Sequence, residues 1–116
     1  MTDPVFDAAA ATDTAAADRQ QSDITTEDLT GAGRTYRHDW GLRKGQWILH
    51  LNDPAVTGAT RVFVAAGEGS GDGKFIGGAR YTVHNVAPGP GRISIWVDVA
   101  WDSPINLLVD YLIVQP

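Results

Sequence analysis

The sequence contains no cysteine, which excludes a disulfide scaffold, a thiolate metal site and a cysteine nucleophile. It has no apolar run near the ~20 residues that a membrane-spanning helix needs, and residues 1–21 lack the basic and apolar segments of a secretory signal. The net charge of −5 disfavours contacts with nucleic-acid phosphates or an anionic membrane. These absences predict a soluble, cytoplasmic protein that binds neither nucleic acid nor membrane.

The composition changes near residue 30. Residues 1–30 are rich in alanine and aspartate, whereas every glycine, tryptophan and tyrosine comes later in the chain. A chain of 116 residues can bury one hydrophobic core. We therefore expect a single domain over 1–116, made of a helical N-terminal arm (1–30) and an antiparallel β domain (31–116).

The N-terminal arm has the signals of a helix start. Asp3 can cap the helix, Pro4 suits its first turn, and the alanines within residues 8–17 have high helix propensity. A helix over about residues 4–20 is predicted. Because alanines bury little area, we expect this helix to pack across the sheet or against a second copy in a homodimer. A frayed tail is the alternative.

Six later segments have the alternation and length of β-strands, with glycine, proline, asparagine and aspartate between them. The segments are 34–40, 46–51, 60–66, 75–86, 91–101 and 105–114. Short strands at this spacing, without intervening helices, are typical of antiparallel structures. The predicted fold is mainly β, an antiparallel β-sandwich or small barrel of about six strands with an N-terminal Ala-rich helix.

The last three predicted strands can be aligned by their apolar faces. Matching these faces across the 102–104 turn predicts a hairpin of the last two strands. Its buried residues are expected to be Val97, Val99, Leu107, Val109 and Tyr111. On the opposite face the same alignment places Asp110 opposite Trp96 and, across a loop at 87–91, Arg80 opposite Asp98.

The opposite face of these strands combines a tryptophan with charged and hydrogen-bonding groups. Its residues are Arg80, Thr82, His84, Ser94, Trp96, Asp98 and Asp110. This composition is typical of a surface that binds a sugar, a peptide or a small organic ligand, because the ring supplies contact area and its polar neighbours fix orientation. A cross-strand ion pair, or a tryptophan covered by the helix or a second subunit, explains the same residues without a ligand.

Residues 36–47 form a second polar and aromatic cluster, which includes His38, Asp39 and Trp40. A histidine among acids and bases could line a site with acid–base capacity. His38 and Asp39 are adjacent on a strand and so face opposite ways, and a hairpin with a glycine turn explains the segment equally well. No catalytic residue is assigned, and no metal site or cofactor is expected, because metal-ligand spacings, phosphate loops and nucleophile elbows are missing.

Taken over nearly its full length, the chain resembles the small proteins encoded beside lanthipeptide precursors of the cinnamycin and duramycin type, which form a lysinoalanine cross-link. The resemblance rests on chain size, the absence of cysteine, the acidic Ala-rich N-terminal segment and a remainder rich in Trp and Gly. That remainder includes WGLRKGQW at 40–47 and WDSP at 101–104.

The resemblance implies an enzyme of antibiotic biosynthesis that adds a lysine amine to dehydroalanine in a folded, thioether-bridged peptide. It implies that positioning supplies much of the acceleration and that a hydroxylated aspartate of the substrate acts as the base. The residues expected to bind the peptide are Arg80, Thr82, His84, Trp96 and Asp98, with His38 and Trp40 at the rim. The alternatives are a non-catalytic β-sandwich that binds a sugar or peptide, and a homodimeric structural protein.

Overall fold

The computed structural model describes residues 11–16 and 32–115, and this part of the chain contains eight strands and no helix. The strands are β1 (Ala11–Ala16), β2 (Ala32–Arg43), β3 (Gly45–Asn52), β4 (Arg61–Ser70), β5 (Gly73–Lys74), β6 (Arg80–Gly89), β7 (Arg92–Ala100) and β8 (Ile105–Gln115). The prediction of a mainly β protein is confirmed. No helix within the described ranges is long and apolar enough to cross a membrane.

The strands form two four-stranded sheets, in the orders β1-β3-β7-β6 and β2-β8-β4-β5. All neighbouring strands are antiparallel except β1 and β3, which are parallel. The strands β4 and β6 bring the two sheets close together on one side. The predicted sandwich agrees with this arrangement.

The core lies between the two sheets and is built by alternating residues of β3, β7 and β8. The expected residues Val97, Val99, Leu107, Val109 and Tyr111 are each at most 1% exposed, so the prediction of the buried faces is confirmed. The predicted hairpin of β7 and β8 is wrong. The strand β7 pairs with β3 and β6, and β8 pairs with β2 and β4, so residues 101–104 cross from one sheet to the other.

The N-terminal segment differs from the helix predicted over 4–20. Residues 11–16 form β1 along the edge of β3, with Thr12 opposite Ile48 and Thr14 opposite His50. Six alanine-rich residues gain more from the backbone hydrogen bonds of an open sheet edge than from their intrinsic helix propensity, which is a weak preference. The helix is therefore wrong for these residues, and the rest of it lies outside the described part of the chain.

A buried ion pair joins β2 to the connection between β3 and β4. Arg34 contacts the carboxylate of Asp53, and these side chains are 15% and 2% exposed. The Asp53 amide donates to the Gly91 carbonyl at 2.9 Å, and its Oδ1 accepts from the Ala55 amide at 3.1 Å. Asp53 thereby fixes one end of the sandwich, where the β6–β7 turn meets the β3–β4 connection.

Candidate functional site

The outer face of the β1-β3-β7-β6 sheet brings together most of the residues predicted to bind a ligand. We call it the Trp96 face, and its outward residues include Gln46, Ile48, His50, Arg80, Thr82, His84, Ser94, Trp96 and Asp98. The register differs from the predicted one, because Pro90 and Gly91 alone connect β6 and β7 and Thr82 lies opposite Asp98. Arg80 moves opposite Ala100, so the predicted Arg80–Asp98 cross-strand pairing is wrong.

Trp96 is held in one orientation by contacts from both neighbouring strands. Its ring lies against the His84 ring, with 4.3 Å between centroids and 35° between planes. Its Nε1 donates to Gln46 Oε1 at 2.9 Å. The register shift between Val83 and Asn85 makes His84 a bulged residue, and a bulge re-aims a side chain. The result is a fixed aromatic platform of one half-buried and one exposed ring.

The platform has a hydrogen-bonded pair beside it. His50 lies opposite Ser94 in the β3–β7 register, one row of outward side chains from Trp96, and His50 Nδ1 is 2.7 Å from Ser94 Oγ. Desolvation, followed by the nearby positive charge of Arg92, lowers the pKa of His50 from its usual 6.5. This shift favours the neutral form of the imidazole.

Residues Gln46 and His50 were missed as site residues by the sequence reasoning. Their alternation on the predicted strand 46–51 was the available signal, because it places both on the same side as Ile48. The pairing of β3 with β7 puts that side next to Trp96 on the outer face of the sheet. The local sequence pattern does not predict which strand β3 pairs with.

The structure separates His38 and Trp40 from the Trp96 face. Both lie on the inner side of β2, between the sheets, whereas Trp96 lies on the far side of the other sheet. Their predicted place at the rim of one groove is therefore wrong. Strand alternation places His38 and Trp40 on the same face of β2. The pairing of β2 with β8 turns this face toward the core between the sheets.

His38 and Trp40 belong to an inner aromatic row with Tyr36 and Tyr111. His38 Nδ1 is 2.9 Å from the Tyr36 hydroxyl, and its ring meets Trp40 edge-on at 4.5 Å. Trp40 is 4% exposed and donates from Nε1 to the Tyr111 hydroxyl at 3.1 Å. Desolvation lowers the pKa of His38. These contacts pair the Tyr36 hydroxyl with His38 Nδ1 and Trp40 Nε1 with the Tyr111 hydroxyl inside the protein, and they indicate a structural role.

Arg43 ties this inner row to β1 and β3. Its guanidinium pairs with the Asp13 carboxylate, donates to the Trp40 carbonyl at 2.8 Å and lies 4.2 Å from the centre of the Trp47 ring. The hydrogen bond from Arg43 lowers the pKa of Asp13. The cluster thus connects the two sheets on the side where β1 and β2 form their edges.

Asp110 lies on the outer face of the β2-β8-β4-β5 sheet, so its predicted position opposite Trp96 is wrong. Arg37 contacts its carboxylate through Nε at 2.5 Å and Nη2 at 3.0 Å, and Lys74 Nζ is 3.0 Å away. Hydrogen bonding from Arg37, supported by Lys74, lowers the pKa of Asp110. This network belongs to the other sheet and has no part in the Trp96 face.

No protein-family model, curated protein or solved structure matches this chain. Within residues 11–16 and 32–115, no three histidine, aspartate or glutamate residues are grouped so that they could hold a metal ion.

Proposed function

We propose that this chain binds a compact, thioether-bridged peptide on the Trp96 face and promotes the addition of its lysine amine to a dehydroalanine, forming lysinoalanine. The observation that carries the proposal is the fixed Trp96–His84 platform with polar side chains around it. Trp96 offers apolar contact area, and Arg80, Thr82 and Asp98 offer hydrogen bonds that orient a peptide. The resemblance described above supplies the reaction.

The position of Trp96 within the sheet supports catalysis by positioning. The strand β7 lies between β3 and β6, so its backbone is paired on both sides. Such a surface changes little when a ligand binds, which lowers the cost of holding two reacting groups in contact. Proximity and orientation can contribute up to about 7–11 kcal/mol to a reaction of this kind. A bridged peptide is itself rigid, which reduces the ordering cost further.

The test follows the cross-link in a dehydrated, bridged peptide incubated with and without the protein. The addition leaves the peptide mass unchanged, so the remaining dehydroalanine is tagged with a small thiol before mass spectrometry. Untagged peptide then reports the cross-link, and fragmentation locates it. We expect tagging to disappear faster with the protein than without it. Equal rates would refute the proposed activity.

Peptide affinity tests the proposed surface separately. Trp96→Ala is expected to weaken binding of the bridged peptide roughly 10-fold to 100-fold in calorimetry, because it removes the largest contact on the face. The matched control is Trp101→Ala, since Trp101 is 45% exposed and lies in the crossover between the sheets. If Trp96→Ala binds as tightly as wild type, the peptide site is elsewhere.

A non-catalytic binding module is the second candidate, because the contacts that fix Trp96 suit any peptide or sugar ligand. Tight binding of the bridged peptide without acceleration of cross-linking would favour this candidate. The homodimer expected from the N-terminal arm stays a prediction, since it depends chiefly on residues outside the described part of the chain.

A further inference from the structure

Polar residues of β3 and β7 lie together beyond the aromatic platform, at the end of the Trp96 face that is nearest the β6–β7 turn. In the β3–β7 register His50 lies opposite Ser94, and Asn52 lies opposite Arg92. Because alternate residues of a strand share a face, these side chains are on the outer side of the sheet, as Trp96 is. We call this group the Arg92 cluster.

The strands on either side of the Arg92 cluster carry small residues. Thr14 of β1 lies opposite His50, and Ala87 and Gly89 of β6 lie opposite the two β7 residues of the cluster. The next row along the strands carries the two large rings of the platform. The cluster therefore occupies a shallow depression beside the platform, and a ligand seated on the rings can bring a terminal group down to it.

The Arg92 cluster presents hydrogen-bond donors and a positive charge, but no carboxylate. Among the described residues, Arg92 is exposed and forms no ion pair. After desolvation, its charge is the second cause of the lowered pKa of His50, so it lies close to that ring. Within the described strands, the carboxylate on this face is that of Asp98. Asp98 is six residues from Arg92 on β7, which is roughly 20 Å at a rise of about 3.3 Å per residue. The cluster therefore suits an anionic ligand group.

The contact between His50 and Ser94 leaves one donor for a ligand in either tautomer. If the Ser94 hydroxyl donates to His50 Nδ1, which is 2.7 Å away, the ring keeps Nε2–H for a ligand. If Nδ1–H donates to Ser94 Oγ, the hydroxyl hydrogen of Ser94 is available instead. The N–H groups of the Arg92 guanidinium match the two oxygens of a carboxylate. Together these groups can bind one carboxylate through both of its oxygens.

We propose that the Arg92 cluster binds the C-terminal carboxylate of the bridged peptide. This proposal rests on the proposed function and names the peptide group that is recognised at this end of the face. A side-chain carboxylate has the same chemistry, but the aspartate that the resemblance implies as the base is unsuitable. A neighbouring guanidinium would lower the pKa of that aspartate and so weaken it as a base. Anchoring the terminus instead fixes the direction of the peptide on the platform, which supports catalysis by positioning.

The test uses calorimetry at low salt to compare the bridged peptide with an otherwise identical peptide that ends in an amide. The amide removes the negative charge of the terminus. We expect wild type to bind the acid about 10-fold more tightly than the amide, because an exposed ion pair and a hydrogen bond both contribute. Arg92→Gln should bind the two peptides about equally. It should bind the amide as tightly as wild type does, which also shows that the variant is folded.

Arg80→Gln is the matched control, because Arg80 is an exposed arginine at the other end of the same face, opposite Ala100. It should keep the wild-type ratio of acid to amide affinity, whatever its effect on overall affinity. A wild-type ratio below about 3-fold, or an equal loss of this ratio in both arginine variants, would overturn the proposal. A ratio near 1, combined with weaker binding when an aspartate of the peptide is replaced by asparagine, would assign the cluster to a side-chain carboxylate instead.

A smaller probe separates this proposal from the proposed function. N-acetylalanine ends in a carboxylate, and N-acetylalaninamide does not. In NMR titrations the backbone amide signals of His50 and Ser94 should shift with the acid and not with the amide, and neither probe should shift them in Arg92→Gln. These shifts in a protein without cross-linking activity would support the carboxylate site and refute the proposed activity. Cross-linking by wild type without any preference for the acid would overturn the carboxylate site alone. No shifts and no binding of either peptide would overturn both.

Discussion

Removing one partner of the buried Arg34–Asp53 ion pair should be strongly destabilising, because the other charge is then left buried without compensation. Asp53 is 2% exposed and the Arg34 side chain 15% exposed, so water cannot replace the carboxylate if it is removed. Asp53→Asn keeps an oxygen that can accept from the Ala55 amide but removes the negative charge. Breaking a buried pair in this way costs roughly 3–5 kcal/mol. We expect about 3 kcal/mol, because Arg34 is not fully buried.

Urea unfolding followed by tryptophan fluorescence measures this loss. The urea concentration at half unfolding should decrease, while the dependence of the free energy of unfolding on urea should change little. Such a result means that the stability of the protein has changed and the surface exposed on unfolding has not. A loss of about 3 kcal/mol corresponds to a melting temperature lower by about 12 °C, at about 4 °C per kcal/mol for a domain of this size. Asp72→Asn, the same change at an exposed residue, should stay within about 0.5 kcal/mol of wild type. An Asp53→Asn loss below about 1 kcal/mol would contradict the reasoning.

Two further predictions concern the core and the charged network. Val97→Asp places a charge at a position that is 1% exposed and should lower the free energy of unfolding by roughly 3 kcal/mol or more; wild-type thermal stability would refute the inward position of Val97. Hydrogen bonds from Arg37 and Lys74 lower the pKa of Asp110 in the folded protein below the usual 3.8. The ionised carboxylate therefore stabilises the folded state above pH 3.8. This stabilisation is lost as the pH falls through the lower pKa of the folded state. The stability difference between wild type and Asp110→Asn should therefore shrink on acidification from pH 5 to 2, and a constant difference would contradict it.

The residues predicted to share one outward face show where local patterns are sufficient. The residues Thr82, His84, Trp96 and Asp98 share one face because alternate residues of a strand point the same way, and the sequence identified them together. Their predicted cross-strand neighbours were wrong, because the register of β6 against β7 depends on the length of the turn between them, and this turn is shorter than predicted. The pair of His50 and Ser94 could not be predicted, since the two residues are 44 positions apart and meet only when β3 pairs with β7.

The sequence by itself determined that this protein is mainly β and which residues of β7 and β8 are buried, because both properties follow from the two-residue period of side chains along a strand. The tertiary structure decided which strands pair and which polar faces are external. For this reason β7 and β8 lie in different sheets, His38 and Trp40 are enclosed, and residues 11–16 form an edge strand instead of a helix. Hydrogen bonds between distant strands and the closure of one sheet over another are non-local interactions, and neither periodicity nor propensity encodes the partner.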